Sequence, residues 1–332
     1  MAHTGMPDLA HSAIGTLIET LSPCIVDLGA RGGADPELLA IAWASSIYCF
    51  EPEQHAADQL ARAGDSRWRQ FTVIPSAVGG ASGIQNLYVP EDMTGASLLR
   101  HNPAMIERFD NPSLHAVRTV LPVETCTLDE LRSTGRLERV DYLKVDVEGA
   151  ELDILKAGHT LLRECVALKV ECSFLPQRID QPLVWAVAQF LAEAGFEVMD
   201  LQDFHRWRRR NLPAHPYRVR SDMQYSKGQV AQCDLVLLKT AGRLEGPEQA
   251  MRLVVLSAAL GFFDHARTVL AGNPEWAAWV RETHGFDIDA ELRQWSATVG
   301  SRVVRGALRA QVRGLVPLLR AWAGRFQFPR PD

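Results

Sequence analysis

The chain has no apolar run approaching the ~20 residues that a membrane-spanning helix needs. Its first residues also lack the basic stretch and apolar core of a signal peptide. None of its six cysteines forms a Cys-x-x-Cys pair, which argues against a structural metal site or a disulfide framework. We therefore expect a cytoplasmic protein with reduced, buried thiols. The composition, 47% hydrophobic and 23% charged over 332 residues, is typical of a globular protein with a sizeable core.

Net charge is distributed unevenly along the chain. Residues 301–332 hold seven arginines and one acid, a charge of +6, whereas the whole chain carries −5. The rest of the chain is therefore strongly acidic. Affinity for nucleic acid comes largely from neutralising phosphates, so we expect no nucleic-acid partner.

Apolar strand-like runs alternate with helical patterns between about residues 22 and 240, which predicts a parallel sheet covered by helices. Residues 71–78 are predicted to form the third strand. The last two runs, 196–201 and 233–238, are joined by a segment without helical periodicity. A parallel crossover normally needs a helix, so this pair is predicted to be antiparallel. The fold class is α/β, with a Rossmann-like seven-stranded, mostly parallel sheet whose last strand is antiparallel.

From about residue 245 the pattern is helical only, which predicts a further all-helical unit. Its helices are expected near 247–271, 274–284, 288–297 and 300–325, with the last break at Gly300. We divide the chain into an N-terminal helix over 1–21, a Rossmann-like domain over 22–242 and a helical domain over 245–332.

A glycine turn that follows the first strand is the first candidate ligand site. Asp27, Gly29 and Gly33 form an Asp-x-Gly-x-x-x-Gly pattern, in which glycine lets a ligand approach the backbone closely. A dinucleotide site would require Gly-x-Gly-x-x-Gly, but Arg31 and Ala34 occupy two of those positions. The turn suits a cofactor without a pyrophosphate, although a purely structural turn also fits.

An acid closes the second strand. Glu51 stands 22 residues after Gly29 and directly before Pro52, where a carboxylate can accept hydrogen bonds from both hydroxyls of a ribose. With the glycine turn it indicates a nucleoside that carries an amino-acid or phosphate extension. An exposed acid before a proline is the alternative. Asp35 and Pro36, between the turn and this strand, are predicted to start a helix that runs to about Ala44.

A second pair of acids closes a central strand. Strand alternation would place Lys144, Asp146 and Glu148 on one side of the chain, beside the switch point where ligands bind in such sheets. Capping of the helix that starts near Ala150 is the alternative, since negative charge is favourable there. That alternative suits Glu151 better than Asp146, because a carboxylate on a buried strand is costly without a partner or a task.

Four runs resemble the FkbM-type methyltransferases: Val26-Asp-Leu-Gly-Ala30, Phe50-Glu-Pro52, Thr127-Leu-Asp129 and, above all, Leu143-Lys-Val-Asp-Val-Glu-Gly-Ala-Glu151. The resemblance spans roughly residues 22–240. Members of this family are Rossmann-like enzymes that use S-adenosylmethionine to methylate hydroxyl groups on sugars, glycolipids and polyketides. The resemblance therefore implies an O-methyltransferase.

The resemblance also implies roles for individual residues. The methionine end of the cofactor would meet Asp27, Gly29 and Ala30; the ribose would meet Glu51; the adenine would meet Ser76 and Ala77; and Asp146 would face the sulfonium and the acceptor. Residues 93–98 resemble the family's loop between the third and fourth strands, which makes Ser97 a substrate candidate. Arg31 departs from the asparagine that the family often has.

Methyl transfer to an alkyl hydroxyl needs alignment of the reactants and a base for the departing proton. Asp146 and Glu148 are the candidates for that base. A variant has them bind Mg²⁺ with a third oxygen ligand, which would lower the pKa of the hydroxyl. Two other functions stay open: a non-catalytic glycan-binding protein on a methyltransferase scaffold, and an NAD-dependent sugar-modifying enzyme. The second lacks the usual Tyr-x-x-x-Lys pair here.

Two basic segments suggest partners. Residues 205–220 hold six arginines interleaved with Trp207 and Tyr217. Guanidinium groups grip phosphate or carboxylate, so Trp207, Arg208 and Tyr217 become candidates for binding an anionic glycan or a phosphate-linked sugar, against the alternative of a solvated hairpin tip.

The second basic segment is the last helix, where Val303, Val304 and Leu308 alternate with Arg302 and Arg305. Such a helix is compatible with peripheral contact with an anionic membrane, with a homodimer, or with packing on its own domain.

Overall fold

The computed structural model describes residues 9–109, 116–209 and 228–323, with only the backbone for 312–323. Tyr217 and the tip of the predicted hairpin lie outside these residues. In chain order the strands are β1 (Cys24–Leu28), β2 (Ser46–Phe50), β3 (Gln70–Ile74), β4 (Ala77–Val78), β5 (Gly83–Pro90), β6 (Val117–Cys126), β7 (Tyr142–Val145), β8 (Ala167–Ser173), β9 (Phe196–Trp207) and β10 (Gln229–Lys239).

The α-helices alternate with these strands and then follow them. They are α1 (Ala13–Leu21), α2 (Gln54–Ala63), α3 (Pro103–Arg108), α4 (Leu128–Ser133), α5 (Glu151–Lys156), α6 (His159–Glu164), α7 (Val184–Glu193), α8 (Pro247–Ala259), α9 (Phe263–Gly272), α10 (Pro274–His284) and α11 (Ile288–Ala323). None of the helices in the described ranges combines the length and the hydropathy that crossing a bilayer requires.

Seven strands form the main sheet in the order β3-β2-β1-β7-β8-β10-β9. The pairs from β3 to β8 are parallel, whereas β10 runs antiparallel to both of its neighbours. The predicted Rossmann-like sheet with an antiparallel last strand is therefore confirmed. The carboxyl ends of five parallel strands meet along one edge, which is where ligands bind in open α/β sheets.

A second, three-stranded sheet has the order β4-β6-β5. The expectation of one strand over 71–78 is wrong, because the chain leaves the main sheet after Ile74 and pairs with β6 from Ala77 onward. Pro75 lies between the two strands, and proline cannot donate to a ladder hydrogen bond. Because the strand ends here, the small sheet lies over the carboxyl edge of the main sheet.

The predicted helix from Pro36 to Ala44 is also corrected. Asp35 does cap its start, accepting a hydrogen bond from the Glu37 amide at 3.0 Å. The segment then forms two short 3₁₀ helices, Pro36–Ala40 and Ala42–Ala44, instead of one α-helix.

Two hydrophobic cores cover the two faces of the main sheet. One contains α1, α8 and α9 with residues such as Ile25 and Val236, and the other packs α4–α7 against residues such as Val26 and Val145. The helices after residue 245 thus share a core with the sheet, and their division as a separate domain stays a prediction. Within that part, the predicted helix break at Gly300 is wrong, because α11 is continuous from Ile288 to Ala323.

All six cysteines are free thiols, and five are fully buried. Burial raises the pKa of the Cys165 thiol to about 12. The predicted buried, unpaired thiols are confirmed.

Candidate active site

A cavity of about 520 Å³ lies at the carboxyl edge of the main sheet. Most strands of that sheet contribute a residue to its wall, and the small sheet closes it from above through Leu87 and Val89. Gly29 after β1 lines it, and the polar residues of the strands are Glu51 after β2, Asp146 after β7, Glu171 in β8 and Gln232 in β10. Pro52, Ser76 and Ala77 line the same cavity, so six of the nine residues predicted for the cofactor come together there.

Glu51 lies at one end of this cavity and is only 5% exposed. Its Oε1 accepts hydrogen bonds from the Glu53 amide at 3.0 Å and from Arg31 Nη2 at 3.3 Å. Oε2 takes part in neither contact. Arg31, the departure from the family pattern, therefore lies beside the acid and helps to hold its side chain.

Gly29 in the glycine turn is needed for the packing of two strands, and it is also a candidate contact of the cofactor. Gly29 has a φ of +82°, and a Cβ built there would come within 1.8 Å of the Asp146 carbonyl oxygen. The Asp146 amide in turn donates to Leu28 O at 3.0 Å. Only a residue without a side chain lets the ends of β1 and β7 approach this closely. Ala30 and Gly33, also predicted to meet the cofactor, do not line the cavity.

Asp27 lies beneath the cavity rather than in its wall. It is 1% exposed, and Lys144 Nζ lies 3.4 Å from its Oδ1 and 3.1 Å from Oδ2 of Asp146. Burial raises the pKa of Asp27 to about 6, against the opposing effect of Lys144. Lys144 thus links Asp27 to the cavity wall, while direct contact between Asp27 and a ligand stays a prediction.

The alternation of side chains along β7 does not explain why Glu148 lines the cavity. β7 ends at Val145, and Glu148 adopts a left-handed conformation with a φ of +61°. Its Oε2 accepts from Arg178 Nη2 at 3.0 Å, and its backbone oxygen accepts from Ser97 Oγ at 2.7 Å. Burial raises the pKa of Glu148 to about 8, although Arg178 opposes this rise. The expectation that Glu148 continues the strand is wrong, but it does meet Asp146.

Ser97 is buried and lies outside the cavity lining. Its hydroxyl donates to Glu148 and accepts from the Leu99 amide at 3.0 Å. The side chain thereby ties the loop over the cavity to the acid pair, and its contact with a substrate stays a prediction.

Glu171 completes a cluster of three carboxylates with Asp146 and Glu148, in which one oxygen of each lies within 4.8 Å of the others. Gln232 Nε2 donates a hydrogen bond to Glu171 Oε1. Burial, together with the charges of Glu148 and Asp146, raises the pKa of Glu171 well above its usual range. Burial and the repulsion between neighbouring acids therefore favour the protonated forms of Glu148 and Glu171. Three carboxylates are also the ligand type that Mg²⁺ prefers.

The end of β9 forms part of the cavity wall. His205 and Trp207 line it, and Trp207 packs edge-to-face on Phe109 with ring centroids 5.5 Å apart. Arg208 is exposed and lies outside the lining. Of the substrate candidates within the described residues, Ser97, Trp207 and Arg208, only Trp207 lines the cavity.

Two residues of the site were not found by sequence reasoning. Glu171 carries the same signal as Glu51 and Asp146, an acid near the end of a buried strand, and could have been found that way. Arg178 carries no such signal. It is fully buried, and its Nη2 also donates to Gly95 O at 3.0 Å, contacts that depend on three separate chain segments.

The family model of the methyltransferase FkbM domain matches residues 27–198. Among characterised proteins, the chain is similar to the 2-O-methyltransferase NoeI of Sinorhizobium fredii, with 29% identity over 181 residues. That match covers 49% of this chain and 68% of NoeI.

Solved structures show weaker likeness. The chain is similar to PH1948 of Pyrococcus horikoshii, a candidate RNA methyltransferase, with 11% identity, a TM-score of 0.31 and coverage of 72% and 92% of the two chains. An rRNA methylase of Streptococcus thermophilus gives 10% identity, a TM-score of 0.29 and coverage of 72% and 99%.

Proposed function

Because the chain belongs to the FkbM methyltransferase family, we propose that it is an S-adenosylmethionine-dependent O-methyltransferase acting on a hydroxyl group of a glycan or related natural product. One observation carries the proposal. Glu51 and Asp146, which close two different strands, line the same cavity. The cavity falls within the ~300–1,000 Å³ range of small-molecule sites, and a buried acid at the end of β2 suits the ribose of a nucleoside.

The chain's residues divide the work of binding the cofactor. Glu51 would accept hydrogen bonds from the ribose hydroxyls, while Arg31 and the Glu53 amide keep its Oε1 in place. Ser76 and Ala77 offer a partly apolar slot for the adenine, next to Val78 and Phe50. Asp146, held by Lys144, lies where a positive sulfonium would be favoured. S-adenosylmethionine, when bound, supplies a methyl group that is already activated for direct displacement.

Glu148 is the residue that we propose takes the acceptor's proton. A general base works best when its pKa lies near the operating pH, and Glu148 meets that condition with a pKa of about 8. Arg178 fixes one of its oxygens and keeps the carboxylate directed at the cavity. Asp146 holds the acceptor hydroxyl beside it.

The acceptor class rests on two supports. NoeI, the relative with 29% identity, is by name a 2-O-methyltransferase, which favours a hydroxyl acceptor. Trp207 lines the cavity, and an indole ring can stack on a sugar ring. Two cations, Lys144 and Arg178, already face the three carboxylates, so we favour a protein base over Mg²⁺.

The decisive experiment is calorimetric titration with S-adenosylmethionine, followed by mass spectrometry of a glycan panel incubated with protein and cofactor. We expect binding and a mass increase of one methyl group, also in EDTA. Failure to bind the cofactor would refute the proposal. Binding without transfer would favour a glycan-binding protein on this scaffold, and transfer abolished by EDTA and restored by Mg²⁺ would favour the metal variant.

We expect Glu51→Gln to weaken S-adenosylmethionine binding by ~10- to 100-fold, because each charge-assisted hydrogen bond is worth ~1.5–3 kcal/mol. Calorimetry gives the dissociation constant. Asp58→Asn, an exposed acid of α2, is the matched control and should bind normally. Equal affinities in the two variants would contradict the ribose role of Glu51.

We expect kcat to rise with pH and to level off above the pKa of Glu148, which is about 8. The sign follows from the direction of the shift: below this pKa Glu148 is protonated and cannot accept a proton, and above it the carboxylate is ionised. Initial rates at saturating substrates over the neutral to alkaline range measure the profile. A flat profile would exclude Glu148 as the base.

A further inference from the structure

α11 extends beyond the core after residue 302, and we call this part, whose side chains are described up to residue 311, its free half. The first half is anchored, since Ile288, Leu292 and Trp295 are buried in the core. Every residue over 303–311, by contrast, is exposed. Val303, Val304 and Leu308 have exposed fractions of 66%, 59% and 56%. An isolated helix of this kind is marginal in water, so this face calls for a partner.

The charges on this segment are all of one sign. Arg302, Arg305 and Arg309 follow one another at spacings of three and four, which places them in one stripe along the helix. Val304 and Leu308 form the adjacent stripe by the same rule. Over the whole stretch 301–323 the sequence contains five arginines and no acid, so the basic character extends along the entire free half.

We propose that this free half of α11 docks on an anionic lipid surface, with Val304 and Leu308 entering the interface and the arginines meeting lipid headgroups. Helices that lie in a membrane interface combine an apolar face with a basic one. Each arginine near such a surface contributes about 1 kcal/mol. The surface is a binding site of its own and does not depend on the proposed reaction.

Two other partners, a second copy of this helix and a nucleic acid, match the charges and apolar side chains of the helix less well. A second copy of the same helix would bring two sets of arginines together, and like charges across an interface are costly. Nucleic acid would satisfy the arginines but would leave the valine and leucine side chains in water, since its binding depends on phosphate neutralisation. An anionic bilayer satisfies both stripes at once.

The test is sedimentation of the full-length protein with vesicles of equal parts phosphatidylglycerol and phosphatidylcholine, compared with phosphatidylcholine alone. We expect binding to the anionic vesicles only, and release at high salt, because salt screens surface electrostatics. Combining R302Q, R305Q and R309Q should lower the partition coefficient about 100-fold, given about fivefold for each arginine. The matched control combines R62Q, R118Q and R163Q, three exposed arginines elsewhere on the surface.

A second variant, L308S with V304S, tests the apolar stripe and should also weaken binding, while circular dichroism confirms that helix content is retained. Equal binding to neutral vesicles, or equal loss in the control triple variant, would overturn the proposal. So would a concentration-dependent dimer that L308S dissociates in the absence of vesicle binding, which assigns the face to a second copy. Salt-sensitive binding to RNA without vesicle binding would overturn it as well.

Discussion

Replacing Gly29 with alanine is expected to prevent stable folding. The added Cβ would lie 1.8 Å from the Asp146 carbonyl oxygen, and that oxygen belongs to backbone that cannot rotate away. β1 and β7 would have to separate at the point where the Asp146 amide hydrogen-bonds to Leu28. We expect a loss above ~4 kcal/mol, which marks the exceptional end of single substitutions. Thermal and urea unfolding measure it.

Gly33→Ala is the matched control for this prediction. Gly33 also has a positive φ, +81°, but a Cβ there meets nothing within 4 Å. With its ψ of 178° Gly33 lies in a region that almost only glycine adopts, so the substitution should cost only the ~1–3 kcal/mol of that backbone strain. Similar losses in the two variants would show that strain at positive φ, and not the contact between β1 and β7, explains the glycine at position 29.

The substitution Glu148→Gln is expected to lower kcat by ~10²–10⁴-fold, the usual contribution of a general base. The amide retains the shape of the carboxyl group and can still contact Arg178, but it cannot take the acceptor's proton. The dissociation constant of S-adenosylmethionine should stay unchanged, because the proposed cofactor contacts are made by Glu51 and its neighbours and not by Glu148. Single-turnover rates with matched calorimetry separate the two effects, and the rise of kcat with pH should disappear.

The Glu171→Gln variant is the comparison for that experiment, because Glu171 belongs to the same carboxylate cluster as Glu148. Burial and nearby acids raise the pKa of Glu171 well above its usual range, which favours the protonated side chain that glutamine resembles. We expect a much smaller loss than for Glu148→Gln. A larger loss at Glu171 would move the base to that residue and refute the assignment of Glu148.

Much of the candidate site could be predicted from the sequence because the ends of buried strands are easy to recognise. An acid or a glycine that closes an apolar run is conspicuous, so Gly29, Glu51 and Asp146 could be predicted to meet at the carboxyl edge of the sheet. The same reasoning missed the end of the third strand. Pro75 is a local sign that the strand ends, but it does not tell which sheet the following residues join, because that depends on pairing with the distant β6.

The helical segments show a similar limit. Glycine is a poor helix residue, and Gly300 therefore looks like a break, yet α11 runs through it. The chain turns instead at Gly261, which has a φ of +90°. Propensity costs of about 1 kcal/mol per glycine are small enough for tertiary packing to override, so the sequence predicted the helical character of this part better than its boundaries.

The sequence by itself determined the alternation of the main-sheet strands with helices, the antiparallel last strand and the acids that end β2 and β7, because hydrophobic periodicity and strand-end chemistry are local properties. Only the tertiary structure decided which charges meet. Arg178 reaches Glu148 across 30 residues of chain, Glu171 joins the carboxylate cluster from the neighbouring strand, and Asp27 lies beneath the cavity with Lys144. Burial and these contacts set the pKa of Glu148, and neither can be read from any one segment.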